Sequence, residues 1–330
     1  MQYRKFGNTA LTISEIGFGA WAIGGNAKVG NTPIGWGKAD DETSKKAIHA
    51  AIDTGINFFD TADFYGLGHS EKILGEVLKE NKSVIIATKV GHRNIEEKIV
   101  LDYSRQYILK ACEESLKRLQ RDVIDYYQLH SARLQHLQQG ECIEAMETLK
   151  QQGKIRYWGL SLNTFSPDEE ANFLMERNLG NGFQLVFNLI NQLAINTIRK
   201  ANKNGYGIIA RMPLQFGLLT GKFTAETKFE KDDHRNFRLT PEIIQSTLKV
   251  LKEKVWPIGE KEHLNKTQLA LSFILSFKEI STIIPGIRTS EHVEQNTTGL
   301  KILTKENLEL LQSLSETDWN QVVELMHKQG

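Results

Sequence analysis

The chain has 330 residues, 41 of them basic and 40 acidic, for a formal net charge of +1, with 40% hydrophobic and 25% charged residues. That balance is ordinary for a globular protein and supplies no field of one sign, which excludes nucleic acid and anionic membrane as expected partners. No apolar run approaches the roughly 18 residues of a membrane span, the polar start Met1-Gln2-Tyr3-Arg4-Lys5 does not read as a signal peptide, and a cytoplasmic protein is expected.

Taken in order, Tyr3–Phe6 and Leu11–Ser14 flank Gly7-Asn8, a favoured turn pair, so an N-terminal β-hairpin is expected. A first strand follows near Glu15–Phe18. Next, Gly17-Phe18-Gly19-Ala20-Trp21-Ala22, with Asp40 and Asp41 further on, mimics the G-x-G-x-x-A fingerprint of Rossmann folds. That motif works only if a helix begins directly after the glycines and holds pyrophosphate at its N-terminus. Here Gly24, Gly25, Gly30, Pro33, Gly35 and Gly37 forbid such a helix, and the stretch reads as a long loop at the mouth of a barrel.

Further apolar runs follow at Ile56–Phe59, Val84–Thr88, Val123–Leu129, Ile155–Leu160, Phe183–Phe187, Gly207–Ala210 and Thr282–Ile284. Parallel strands covered by helices on both faces read as continuous runs of this kind. Helices are expected at Glu42–Thr54, Glu71–Glu80, Ser104–Leu119, Cys142–Gln152 and Pro241–Glu260, with an added one at Lys305–Leu314. In Ser104–Leu119 the residues Ile108, Cys112, Ser115, Leu116 and Leu119 form one stripe. Cys112 and Cys142 lie within helical patterns and read as buried structural thiols; no spacing of His and Cys suits a metal. Eight strands alternating with helices predict an α/β fold: one (β/α)8 TIM barrel domain over residues 1–330, with the hairpin in front and long loops on its C-terminal face, notably Arg211–Leu239. A doubly wound open sheet is the rival topology.

In a barrel, functional side chains come from the C-terminal ends of the strands. One such end reads Phe58-Phe59-Asp60-Thr61-Ala62-Asp63-Phe64-Tyr65-Gly66, the next Ala87-Thr88-Lys89, the next Gln128-Leu129-His130. An acid, a phenol, an amine and an imidazole therefore converge on one rim. That set suits reduction of a carbonyl by a hydride donor. The alkoxide that forms needs a proton, and a free phenol, with a pKa near 10, gives one up poorly at neutral pH unless a cation lies beside it. Tyr65 is the candidate acid, Lys89 the cation, Asp60 the partner that orients Lys89, and His130 a donor to the carbonyl oxygen.

The segment Gly55–Gly66 followed by Ser70-Glu71-Lys72-Ile73-Leu74-Gly75 resembles the signature of the aldo-keto reductase family, of the general bacterial type. The resemblance runs from Gly17 to Asn296, through Ala87-Thr88-Lys89, Leu129-His130, Gly159-Leu160-Ser161, Gln184 and Pro285–Asn296. It implies a barrel that holds NADP(H) extended across the strand ends without a Rossmann domain, with NAD(H) accepted at lower affinity. It also implies the roles given above for Asp60, Tyr65, Lys89 and His130. By the same resemblance Gly19, Ala20 and Trp21 belong with the cofactor-binding residues, and Ser161 and Gln184 with the nicotinamide carboxamide. Arg211 stands where many members stack a tyrosine on the nicotinamide, and a guanidinium plane can stack in its place. Pro213, Leu214, Gly217, Leu219, Gly221 and Lys222 resemble the loop that folds over the pyrophosphate. Gly286, Arg288, Gln295 and Asn296 resemble the adenosine-phosphate segment, with Gly286 and His292 where the family commonly has Lys and Arg. Arg288 then carries the 2′-phosphate, with a partial charge from His292, and Thr289–Ser290 can start a helix.

Trp36 and Phe216 are candidates to line the substrate pocket, and the substrate expected is an aldehyde or ketone. Two other classes are open: a cofactor-binding subunit that reports redox state to a partner with little turnover, and a two-carboxylate hydrolase. A monomer or weak homo-oligomer is expected.

Overall fold

In the computed structural model, which describes residues 1–35, 37, 39–230 and 233–329, eight parallel strands carry the core. They are β1 (Phe18–Gly19), β2 (Phe58–Asp60), β3 (Ile85–Val90), β4 (Ile124–His130), β5 (Ile155–Ser161), β6 (Gly182–Val186), β7 (Gly207–Arg211) and β8 (Thr282–Ile284). Each pairs with its neighbours in sequence order. The sheet then curls until its ends meet, with Ile16 beside Ile283 and Gly19 beside Gly286. Along that seam the Gly17 N–H donates to Ile283 O at 2.8 Å and the Ile283 N–H to Glu15 O at 2.9 Å. The result is the expected (β/α)8 barrel. Strands β3 and β6 are buried along their whole length, as strands with helices on one face and the barrel core on the other must be.

The helices follow from caps and stripes. Ser104 accepts from the Tyr107 N–H and starts Arg105–Leu119, and its whole predicted stripe is buried. Asp40 caps Asp41–Asp53 in the same way. Cys112 and Cys142 are free and buried, and burial pushes their thiols up to about 12 and about 11, as inert structural groups. The hairpin at Tyr3–Lys5 and Thr12–Ser14 closes the N-terminal end of the barrel. Its Phe6 ring lies 4.8 Å from that of Tyr126. A Cβ at Gly182 or Gly207 would meet the Phe6 ring at 2.5 or 2.4 Å, so glycine at both strand starts makes room for it.

A five-residue 3-10 turn, Ala20–Gly24, and a short hairpin, Lys28–Val29 with Thr32–Pro33, follow β1, within the long loop expected there. Other elements differ from expectation. A third hairpin, His92–Ile95 with Lys98–Leu101, rises from the end of β3. Helices at Leu134–Gln139, Asp168–Glu176, Ile195–Lys203, Lys266–Leu275 and Asp318–Lys328 were not anticipated. The expected Pro241–Glu260 helix runs as Pro241–Val250, a π segment at Leu251–Val255, and Trp256–Lys261. Pro257 lacks an N–H and its ring crowds the preceding turn, and the wider π turn accommodates it.

Candidate functional site

The four candidate catalytic residues meet at the C-terminal rim. Asp60 ends β2, Lys89 lies one residue from the end of β3, and His130 ends β4. Tyr65 opens the turn Tyr65–Gly68, in which Gly66 has φ +61° and packs on the Gly24 backbone so closely that a Cβ would lie 2.1 Å from Gly24 O. Lys89 is fully buried, and its ammonium donates to Asp60 Oδ2 at 2.6 Å, Thr61 O at 2.7 Å and Tyr65 OH at 3.2 Å. Burial works against the charge on Lys89, but Asp60 and Tyr65 outweigh it and hold the amine above its ordinary value. A permanent cation therefore touches the phenol oxygen.

The other oxygen of Asp60 is held as well. Gln128 Nε2 donates to Asp60 Oδ1 at 3.1 Å and Gln184 Nε2 at 2.7 Å, and the two amides are joined at 3.3 Å. Gln184, expected to face a nicotinamide carboxamide, thus has its amide N–H committed to Asp60. Gln128 went unnoticed in the sequence, although it lies two residues before His130 on one strand and so shares its face.

His130 is neutral. Burial, then the neighbouring His92, Lys89 and Arg211, push its imidazole well below the usual value. Its Nδ1 is enclosed without a hydrogen-bond partner, which leaves Nε2 to meet a ligand. Its backbone carbonyl accepts from Tyr103 OH at 2.6 Å. His92, also missed, sits with its ring 4.4 Å from that of His130.

The candidate cofactor residues surround this group. Ser161 ends β5 and is buried. Arg211 ends β7 and donates to Leu162 O and Thr164 Oγ1, each at 3.2 Å, with no carboxylate in ion-pair range among the described residues. Burial lowers its pKa, and no rim salt bridge anchors it. Pro213 and Leu214 lead into the turn Gln215–Thr220, where Phe216 and Gly217 take φ +56° and +98°, and Leu219 is buried beneath it. Lys222 and Gln295 line a cleft of about 490 Å³ with Thr220, Trp256, Asn265 and Lys266. Lys266, a further cation there, was also missed; it packs against Gly221, whose φ of +74° favours glycine.

Gly19 and Gly286 pair across the barrel seam, and a Cβ on Gly19 would lie 2.7 Å from Pro285 O. Ala20 is buried behind them. Thr289 does cap a helix, Ser290–Thr297, on which Gln295 is exposed and Asn296 buried. Burial, Lys222 and Arg288 lower the His292 pKa, which works against the partial charge expected of it, and its Nδ1 accepts from the Arg288 N–H at 3.4 Å.

Trp21 donates from Nε1 to Ile34 O at 2.9 Å and lies 6.2 Å from the Tyr65 ring. His234, from the long loop, stands edge-on between Trp21 at 4.7 Å and Phe216 at 4.9 Å. These rings wall the mouth beside Tyr65. Trp36 lies outside the described residues. Among the described residues no cluster of His, Cys, Asp or Glu could hold a metal, and no helix is long and apolar enough to cross a membrane.

Comparison with known proteins agrees with this geometry. The chain is 35% identical over 279 residues to the aldo-keto reductase YhdN of Bacillus subtilis, covering 83% of this chain and 79% of the relative. The holo form of the aldo-keto reductase AKR11C1 from Bacillus halodurans superposes with a TM-score of 0.77 at 27% identity, covering 95% of this chain and 96% of that one. The glycerol dehydrogenase AKR11B4 from Gluconobacter oxydans does so with a TM-score of 0.76 at 29% identity and 95% coverage of each. The Aldo/keto reductase family profile matches residues 15–316. With an ionised lysine between an aspartate and a tyrosine at the mouth of a matching barrel, this chain is an oxidoreductase of the aldo/keto reductase family.

Proposed function

We propose that the protein reduces aldehydes or ketones to alcohols with NADPH, and uses NADH at lower affinity. The observation that carries this reading is the Lys89 ammonium 3.2 Å from Tyr65 OH. The rim fits an extended dinucleotide. Lys222 and Lys266 bring positive charge to the cleft of about 490 Å³, and Arg211, with a buried nitrogen left without a partner, ends β7 at the rim. Ser161, Arg211 and the side-chain oxygen of Gln184, whose nitrogen is engaged by Asp60 and Gln128, would hold the nicotinamide, the loop Pro213–Lys222 the pyrophosphate, and Arg288 with Gln295 the adenosine end. When bound, the nicotinamide supplies the hydride.

The chain's own residues do the rest. Neutral His130 donates from Nε2 to the carbonyl oxygen and fixes its position. Tyr65 passes its phenolic proton to that oxygen as charge develops there. The negative charge left on Tyr65 is held by Lys89, which keeps its proton because Asp60 stays paired with it. The name of the Gluconobacter relative, a glycerol dehydrogenase, supports an alcohol–carbonyl couple.

Cofactor choice tests the adenosine end. With the charge on His292 disfavoured, Arg288 is the permanent charge of its segment, and a charge-assisted contact to phosphate is worth about 1.5–3 kcal/mol, or roughly tenfold to a hundredfold in affinity. Arg288→Ala should weaken NADPH binding by that factor and leave NADH binding nearly unchanged, as read from paired dissociation constants. Equal loss for both cofactors would show that Arg288 holds the loop and does not read the phosphate. Turnover with a panel of aldehydes separates an enzyme from a cofactor-binding sensor, which would bind NADPH and reduce nothing.

A further inference from the structure

The rings of Tyr65, His130 and His92 form a row, with centroids 5.9 Å apart across the first pair and 4.4 Å across the second. Phe64 closes the far side at 5.5 Å from His92. His92 is in ring contact with His130, so a substrate whose carbonyl oxygen meets His130 would extend beside His92.

His92 is held in that place from several sides. Tyr107 OH lies 3.4 Å from the His92 backbone carbonyl and 3.3 Å from Asp63 Oδ2, its one proton shared between the two. The next residue, Arg93, lies over the Tyr107 ring at 4.4 Å and pairs with Asp102. The imidazole itself is only partly covered, yet its Nδ1 is enclosed without a partner, so Nε2 is its working nitrogen. Burial lowers its pKa to about 4, so it meets a ligand uncharged. A neutral imidazole suits a hydroxyl group, which can both give and take a hydrogen bond, better than it suits an anion.

We propose that His92 is a specificity-determining residue that binds a hydroxyl on the carbon next to the carbonyl, so that the site favours α-hydroxy aldehydes and ketones over their plain counterparts. The inference rests on the carbonyl-reductase reading and adds the substrate class.

The matched pair 2-hydroxypropanal and propanal tests it, each with NADPH. Wild type should show a kcat/KM ratio of about tenfold in favour of the hydroxy compound, the order expected for one added hydrogen bond. In His92→Phe that ratio should fall close to one. In His92→Gln, whose amide also donates and accepts, most of the ratio should return, and this rescue guards against a folding defect in the Phe variant. A ratio near one in wild type, or a ratio unchanged in His92→Phe, overturns the inference while leaving the carbonyl-reductase reading intact. Failure of wild type to reduce either compound while still binding NADPH overturns that reading, and this inference with it.

Discussion

Lys89 places all three of its ammonium protons on oxygens of one site, Asp60, Thr61 and Tyr65. Removing the hydroxyl that receives the third should leave fold and cofactor affinity in place and remove the proton donor. Tyr65→Phe should therefore lower carbonyl reduction by roughly two orders of magnitude or more, with NADPH affinity unchanged in a fluorescence titration; a variant near wild-type rate would exclude Tyr65 as the acid. Gln128 acts one step further out. With Gln128→Leu, Asp60 Oδ1 keeps only Gln184, and a buried carboxylate short of a donor costs about 1–3 kcal/mol. The midpoint of urea unfolding should drop accordingly, and an unchanged midpoint would show that the Gln128 contact contributes nothing. Asp60, Tyr65, Lys89 and His130 were legible in the sequence because each sits at or just past a strand end, where position alone gives the side chain a shared rim. Gln128 and His92 were not. A glutamine inside an apolar strand carries no signal of what it binds, and His92 belongs to a hairpin that the pattern did not reveal.

That hairpin shows how element-level reading fails. Its turn residues are Glu96 and Glu97, at φ +48° and +60°, between Ile95 and Lys98, which pair directly. A two-residue turn with both φ values positive normally carries Asn-Gly, and glutamate there pays a steric cost of about 1 kcal/mol per residue. The double substitution Glu96→Asn, Glu97→Gly should stabilise the hairpin by roughly 1 kcal/mol, seen as slower amide exchange between Arg93 and Val100; faster exchange would refute the strain. The helix Lys266–Leu275 failed for another reason. Every residue from Leu269 to Leu275 is buried, so no polar face marks a helical period, and a short run apolar all round reads equally as a strand. The barrel strands succeeded because burial on both faces leaves an unbroken apolar run, and their expected ends lie within a few residues of the observed ones.

At the scale of the whole molecule, three histidines with lowered pKa values, His234 buried and His92 and His130 partly buried, bear on the response to acid. Burial lowers His92 to about 4, His234 to about 3, and His130 well below its ordinary value. For each, the folded pKa lies under the unfolded value of about 6.5. Between about pH 6.5 and 4 the unfolded chain therefore binds more protons, and stability falls as pH drops through that window. The Asp63 carboxyl, raised by burial and by Glu71, works in the other direction and offsets part of this. A net uptake of about two protons corresponds to a loss of roughly 2–3 kcal/mol per pH unit. Unfolding free energies from urea titrations at pH 6 and pH 5 should differ by about that amount, and equal values would show that the histidines are hydrated in the folded state. The barrel seam bears on how the chain is made. Gly19 finds its partner only when Gly286 has been synthesised, and at about 5–20 residues per second the ribosome takes on the order of ten to fifty seconds to reach it. Through that interval β1 lacks its second neighbour, and the newest strand offers an open edge to any other chain. The nascent barrel is thus most vulnerable to aggregation while β7 has emerged and β8 has not.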